Sequence, residues 1–503
     1  KTKIRVKRVT VALLCLLTFT ASLMSFTSFK AQQHAQKKQL EAESLLGFMV
    51  GDFADKLRSV KRMDLLDGIS NKALEYFTNQ VDEPSSLFNF SSQQGEFKSR
   101  FQYAQTLEAM GEVAYSRGKT IEAFTAFENA RIRLEALLKI QPNNLELLTL
   151  AGANAFWLGQ LHYDKSDYAA TEPLFKKYHS YSEKMYSLAP NDFSSIMELS
   201  YSYNSLGSLY LKQFNYIAAK QSFTESLTLK NEALELKPSN KNLLRDKADT
   251  ISWLAKTEEK LGGFSTTVNM LENAASVVKE MTNRYPNDAS LLYMSANIHM
   301  QQSYLLSYLA DKRIAYQKAL FANKMVSNAL KQDFKDNKLQ LMYYRSLAQL
   351  LMLSNDKNID PRIEEIITFL KSQSFNNTRL INIKIVLIQY FIDRNLQHKA
   401  QKLLTTLESN ENYQQLITKQ VKIGDNLVLL RINLLKAKLA ATSIQKKQFC
   451  LNALQEIAKT VNTNQSILIT YPQVQAYTCL NRANEIPKIK ARLVKLGINN
   501  FQL

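Results

Sequence analysis

Five histidines, three cysteines and a scatter of carboxylates are the residues of this chain that could do chemistry. His34, His162, His179, His299 and His398 never fall four apart, and none stands in a His-Glu-x-x-His frame. The paired ligands that one helix face offers a zinc ion are therefore missing. No glycine-rich phosphate loop occurs, and Gly262-Gly263 reads as a turn between helices. A Gly-x-Ser-x-Gly nucleophile elbow and the kinase motif set are both absent. Asp and Glu sit on every helix, as in any helical protein, and no pair stands out for acid–base work. The sequence predicts no catalysis, no metal and no cofactor. Cys15, Cys450 and Cys479 show no Cys-x-x-Cys spacing. Cys450 and Cys479 fall on what read as consecutive antiparallel helices, at similar distances from a turn near Asn464. An oxidising compartment would let them pair; otherwise they are two buried thiols.

What remains is binding chemistry, and its direction depends on the elements that carry it. The 503 residues have a formal net charge of +19, with 13 glycines and 9 prolines. That length exceeds one compact core, so several domains or an elongated array is expected. Few turn formers and no period-two alternation point to long helices. The positive excess would suit a nucleic acid or an anionic surface. It is spread, however: Lys1, Lys3, Arg5, Lys7 and Arg8 cluster at the start, and no later basic run is interleaved with aromatics. Nucleic acid is not the expected partner.

Pro142, Pro190, Pro238 and Pro286 recur at a fixed period of 48 residues. Two residues after each comes Asn144, Asp192, Asn240 or Asp288, with Asp336 in the next copy. Asn and Asp are favoured helix N-caps, and a proline just before a cap stops the preceding helix. Gly111, Gly159, Gly207, Ala255 and Ser303 share one phase and are all small. Sixteen residues after them come Phe127, Phe175, Phe223, Leu271 and Ala319. Turn signals lie between: Arg117-Gly118-Lys119, Lys165-Ser166-Asp167, Phe214-Asn215 and Gly262-Gly263. Each period reads as two antiparallel helices, the small residue of the first admitting the large residue of the second.

Here the sequence resembles the tetratricopeptide repeat. "NSLGSLY" (Asn204 to Tyr210) with Ala219, Phe223 and Pro238 fits that pattern, as does "EAMGEVAY" (Glu108 to Tyr115) with Ala123, Phe127 and Ala130. The family repeat is about 34 residues, so this period adds about two turns to each helix if shared evenly. The resemblance implies an all-α solenoid whose first helices line a concave groove. Its groove offsets fall on Glu108, Glu112, Phe156, Gln160, Tyr163, Asn204, Lys212 and Lys256, followed by Tyr304 and Tyr308. Tyrosines and mixed polar groups suit an extended peptide or a partner's helix.

The expected organisation has five parts. Residues 1–8 form a basic tail on the cytoplasmic side. Residues 9–29 carry no charge for 21 residues, enough for a transmembrane helix. Residues 30–100 form a membrane-proximal helical stalk and loop, with 78–100 reading as loop. Five repeats occupy 101–337. Residues 338–503 keep helical texture but lose the period, as degenerate repeats and a cap. The basic residues before the apolar stretch place the N-terminus inside and the bulk of the chain in a periplasm, anchored to an inner membrane. The stalk could pair two copies.

The sequence-level reading of function is a membrane-anchored scaffold that binds a protein or peptide in its groove. The alternative rests on residues 42–77, which resemble the juxtamembrane segment of some bacterial receptors. It makes the array the sensor part of a signalling receptor whose kinase, cyclase or DNA-binding effector lies upstream or in a partner.

Overall fold

The computed structural model describes residues 93–309, 312–332, 334, 336–354, 361–373, 378–422, 426–459 and 466–495, preceded by 20, 24–31, 68 and 72. The expected cytoplasmic tail lies outside the described residues. So do nearly all of the expected stalk and most of the apolar stretch 9–29. Among the described residues no helix is long and apolar enough to cross a membrane. This corrects the expectation of a single-pass protein in an inner membrane with a periplasmic body.

The described elements are all helical. The chain divides into two compact units, 1–188 and 189–503. The first unit holds α1 (Gln93–Ser116), α2 (Thr120–Ile140), α3 (Leu145–Asp164) and α4 (Tyr168–Leu188). The second opens with α5 (Phe193–Lys212), α6 (Tyr216–Leu236), α7 (Lys241–Leu261), α8 (Phe264–Arg284), α9 (Ala289–Leu309), α10 (Lys312–Leu330) and α11 (Asn337–Leu353). It continues with α12 (Arg362–Lys371), α13 (Thr378–Asp393), α14 (Gln397–Glu408), α15 (Glu411–Lys422), α16 (Leu427–Leu439), α17 (Ser443–Ala458), α18 (Ile467–Cys479) and α19 (Ile486–Lys495). Helix α1 begins inside the stretch expected to be loop, because Phe97 and Phe101 stack with centroids 6.5 Å apart and pack onto the core at Ala104 and Leu107.

The punctuation works as the residue types dictate. The Asn144, Asp192, Asn240, Asp288 and Asp336 side chains each accept a bond from the backbone N–H three residues on, at 2.8–3.1 Å. Inside each of the first four pairs the chain reverses through a left-handed residue: Gly118, Ser166, Phe214 and Gly262, with φ between 60° and 86°. The N–H that follows each returns to the carbonyl five residues back, as in Lys119 to Ala114 and Asn215 to Tyr210, both 2.9 Å. This is the Schellman closure of a helix C-terminus. Asn395 and Asn481, with φ of 58° and 55°, repeat it beyond the regular array. There Leu396 bonds Phe391 and Arg482 bonds Tyr477.

The small column does what its spacing suggests. A Cβ added at Gly111, Gly159 or Gly207 would come within 2.4, 2.6 or 2.8 Å of the Phe127, Phe175 or Phe223 ring. The rings therefore lie directly on the first-helix backbone. Along the array the first-helix residue grows from Gly to Ala255 to Ser303 while its partner shrinks from Phe to Leu271 to Ala319, all five partners being buried. Volume is conserved between the Gly–Phe and Ala255–Leu271 pairings, whereas Ser303 with Ala319 is smaller.

In the second unit consecutive first helices touch: α5 with α7, α7 with α9, α9 with α11, α11 with α13, α13 with α16 and α16 with α18. The second helices have no comparable mutual contact. A row that is close-packed on one side and splayed on the other must curve, with the first helices inside.

Candidate functional site

Within each unit the first helices are cross-linked by polar side chains about one repeat apart. In the first unit Asn154 donates to Glu108 at 2.8 Å and Tyr115 to Asp164 at 2.7 Å. In the second, Tyr201 donates to Asp246 at 2.8 Å, Asn204 to Thr250 at 3.1 Å and Gln301 to Ser252 at 2.6 Å. Where the sequence period is lost, the ladder continues: Arg431 donates to Asn382 at 2.9 Å and Lys438 to Gln389 at 2.8 Å. Both of these pairs are 49 residues apart.

Several residues expected in the groove are therefore part of the scaffold. Glu108 is buried against Asn154, whose amide also reaches the Phe127 carbonyl at 2.8 Å. Asn204 is committed to Thr250. Phe156 stacks 5.8 Å from Phe175 and meets Trp157 and Tyr178 edge-on. Tyr163 packs 5.7 Å from Tyr168 and 6.1 Å from Phe175, and burial pushes its phenol above the usual tyrosine range. Glu112 is half-buried, and Gln160 donates to Asp164 at 2.7 Å.

The accessible polar residues of this set are Lys212 and Lys256, both exposed on α5 and α7. Protein around Lys256 strips water from it, and the cations of Lys212, Lys260 and Arg379 repel its charge. Together they hold its ammonium below the usual lysine range. Its Nζ also lies 4.8 Å from the centre of the Trp253 ring. Arg379, at the start of α13, lies close enough for its charge to act on Lys256, and no local pattern in the sequence foretold that. Tyr304 and Tyr308 are half-buried on α9.

Tyr308 meets an unexpected neighbour, Tyr471 of α18, with centroids 5.4 Å apart. Phe264, Leu305, Ile467, Val474 and Leu493 form one buried cluster with them. Lys260 donates to the Ser466 hydroxyl at 3.3 Å, and that hydroxyl also bonds Glu259. The row of first helices thus curls until its last member packs on α7, α8 and α9. Cys450 and Cys479 form a disulfide joining α17 to α18, with Cα atoms 6.4 Å apart.

A further polar group was not legible in the sequence. Lys230 is fully buried, donating to Ser200 at 2.7 Å and Ser226 at 2.8 Å, and burial holds its amine down to about 8. A serine beside a depressed lysine can act as a nucleophile. Here Ser200 and Ser226 are fully buried as well. Among the described residues no His, Cys, Asp and Glu group could hold a metal.

No family model matches the sequence. No curated protein matches it either. Solved helical-repeat structures do resemble it. A thermophilic tetratricopeptide protein of Thermus thermophilus aligns at 16% identity and TM-score 0.32, over 48% of this chain and 98% of its own. A Rap protein complexed with competence and sporulation factor aligns at 9% identity and TM-score 0.42, over 90% and 98%. Human IFIT1, as a dimer with PPP-AAAA, aligns at 14% identity and TM-score 0.35, over 93% and 87%. The fold is tetratricopeptide-like: all-α, built of stacked helix pairs. That description rests on the caps, closures and small–large contacts above.

Proposed function

We propose that this chain is a non-catalytic scaffold that binds a protein or peptide segment along the inner faces of its first helices. The observation that carries the reading is the exposure of Lys212 and Lys256 on the first helices α5 and α7, with Lys256 beside Trp253 and within reach of the Arg379 charge. Lys256 is held near the cations of Lys212, Lys260 and Arg379, which outweigh the attraction of Glu259, and this raises the energy of the empty site. A partner carrying acidic and aromatic groups relieves that repulsion and gains ring contacts. The ladder beneath keeps the row rigid, so little ordering is lost on binding.

The test is capture of partners from an extract of the source by the intact chain and by a Lys212→Glu, Lys256→Glu variant. Both substitutions are at exposed positions and leave the helix contacts in place. A partner retained by the native chain and lost by the variant supports inner-face binding. Equal capture by both moves the site elsewhere.

A further inference from the structure

Helix α18 is the last first-helix of the row, and it is held on two sides. Its Ile467, Tyr471 and Val474 face Phe264, Leu305 and Tyr308 of α8 and α9. Ala476 packs with Leu430, Leu434 and Ala453 of α16 and α17. The restraints at its two ends differ in kind. At the N-terminal end Ser466 is fixed by polar bonds to Glu259 and Lys260 of α7. At the C-terminal end Cys479 is fixed covalently to Cys450 of α17. Cys450 is fully buried, whereas Cys479 is half-buried at the very end of the helix, where a reductant can reach it.

We propose that α18 and α19 form a strap over the inner faces of α7 and α9, and that the Cys450–Cys479 bond is the clasp that keeps it shut. The strap covers one residue of the surface expected to receive a ligand, Tyr308, which lies under Tyr471, and beside it Lys260 is turned to Ser466. The chain therefore carries its own occupant for this stretch, a helix packed on two sides whose Tyr471 meets Tyr308. An exogenous occupant of the same stretch has to displace it. Opening the clasp is a thiol–disulfide exchange. A dithiol reductant attacks Cys479 and leaves as its own disulfide. Two electrons and two protons pass to the protein, and Cys450 and Cys479 become thiols. The strap then keeps its apolar contacts with α8 and α9, its packing on α16 and α17 and the bonds of Ser466, but it has lost its covalent tie and opens more often. This inference concerns α18 and α19 alone and stands whether or not the inner face binds a peptide.

The experiment is amide hydrogen exchange on the full chain, oxidised and after treatment with a dithiol. A Cys479→Ser variant gives the same comparison without reductant. The expected result is exchange about tenfold faster across 467–479 in the reduced chain and in the variant. The Lys260 amine should also become more reactive toward a small acylating reagent, while α1–α4 and the exposed Lys119 stay unchanged. Unaltered exchange in 467–479 overturns the proposal. So does acceleration spread over all of α5–α17, because the disulfide would then be a staple of the whole unit and not a clasp for one strap.

Discussion

Residues 93–353 and 378–495 hold their helices together by different means. In the first region the apolar contacts divide into small clusters, one around each junction, such as Ala123, Phe127 and Leu158, or Tyr216, Phe223 and Leu254. In the second a much larger core runs through Ile381, Leu387 and Tyr390 to Leu435 and takes in α10 and α11 as well, with smaller clusters beside it at Leu430 and at Ile467. No glycine lies between Gly263 and Gly424, so the ring-on-backbone contact cannot recur there. Both regions nevertheless share the Schellman reversal and the one-repeat ladder between first helices. The difference teaches that the repeat geometry does not depend on the glycine–phenylalanine contact. It depends on how helices end and on what first helices say to one another across the row.

The largest break is at that contact. Gly207→Ala should destabilise the chain by about 2–3 kcal/mol, since the new Cβ enters the Phe223 ring, although Ala alone is the better helix former by about 1 kcal/mol. Adding Phe223→Leu should recover much of the loss by recreating the Ala255–Leu271 pairing. Urea unfolding of the two singles and the double gives the coupling, and simple additivity would contradict the volume argument.

Next in size is Lys230→Met. Ser200 and Ser226 keep their mutual bonds at 2.8–3.3 Å, so removing the buried charge should stabilise by about 1–3 kcal/mol at pH 7. The sign with pH follows from the depressed amine. Between about 8 and the usual lysine value the unfolded chain binds the extra proton, so native stability rises with pH through that window and is flat below it. The gain from Lys230→Met should therefore shrink between pH 7 and pH 10. A constant gain would mean that Lys230 does not titrate there.

The ladder comes third. Asn204→Ala in the regular region and Asn382→Ala in the irregular one should each cost about 1 kcal/mol. Similar losses would sharpen the view that both regions share one inner row. A neutral Asn382→Ala would confine the ladder to the regular array. The smallest effect is at a cap: Asp192→Ala should cost about 0.5–1 kcal/mol, seen as faster amide exchange in the first turn of α5.

The helix pairs were legible because prolines, caps and small residues repeat in phase, and each of those is a local signal. Residues 338–503 read as helical but aperiodic for a physical reason. Their repeats are kept by contacts between distant side chains, Asn382 with Arg431 and Gln389 with Lys438, which leave no local mark. Asn395 and Asn481 were a missed clue, since Asn is the residue after Gly that best tolerates a left-handed helix end. The groove was legible only as a face. Sequence offsets chose Glu108 and Asn204, but which polar residues a neighbouring helix consumes is decided by packing. The strap was invisible, because Ser466 and Lys260 are 206 residues apart.

The central claim is that binding takes place on the inner face of the first helices. A photo-crosslinking residue at position 256, on that face of α7, can be compared with one at Ile217, which is 69% exposed on the second helix α6. Inner-face binding predicts a discrete crosslinked partner from position 256, suppressed by Lys212→Glu, and none from 217. The same partner captured equally from both positions, or from 217 alone, would contradict it.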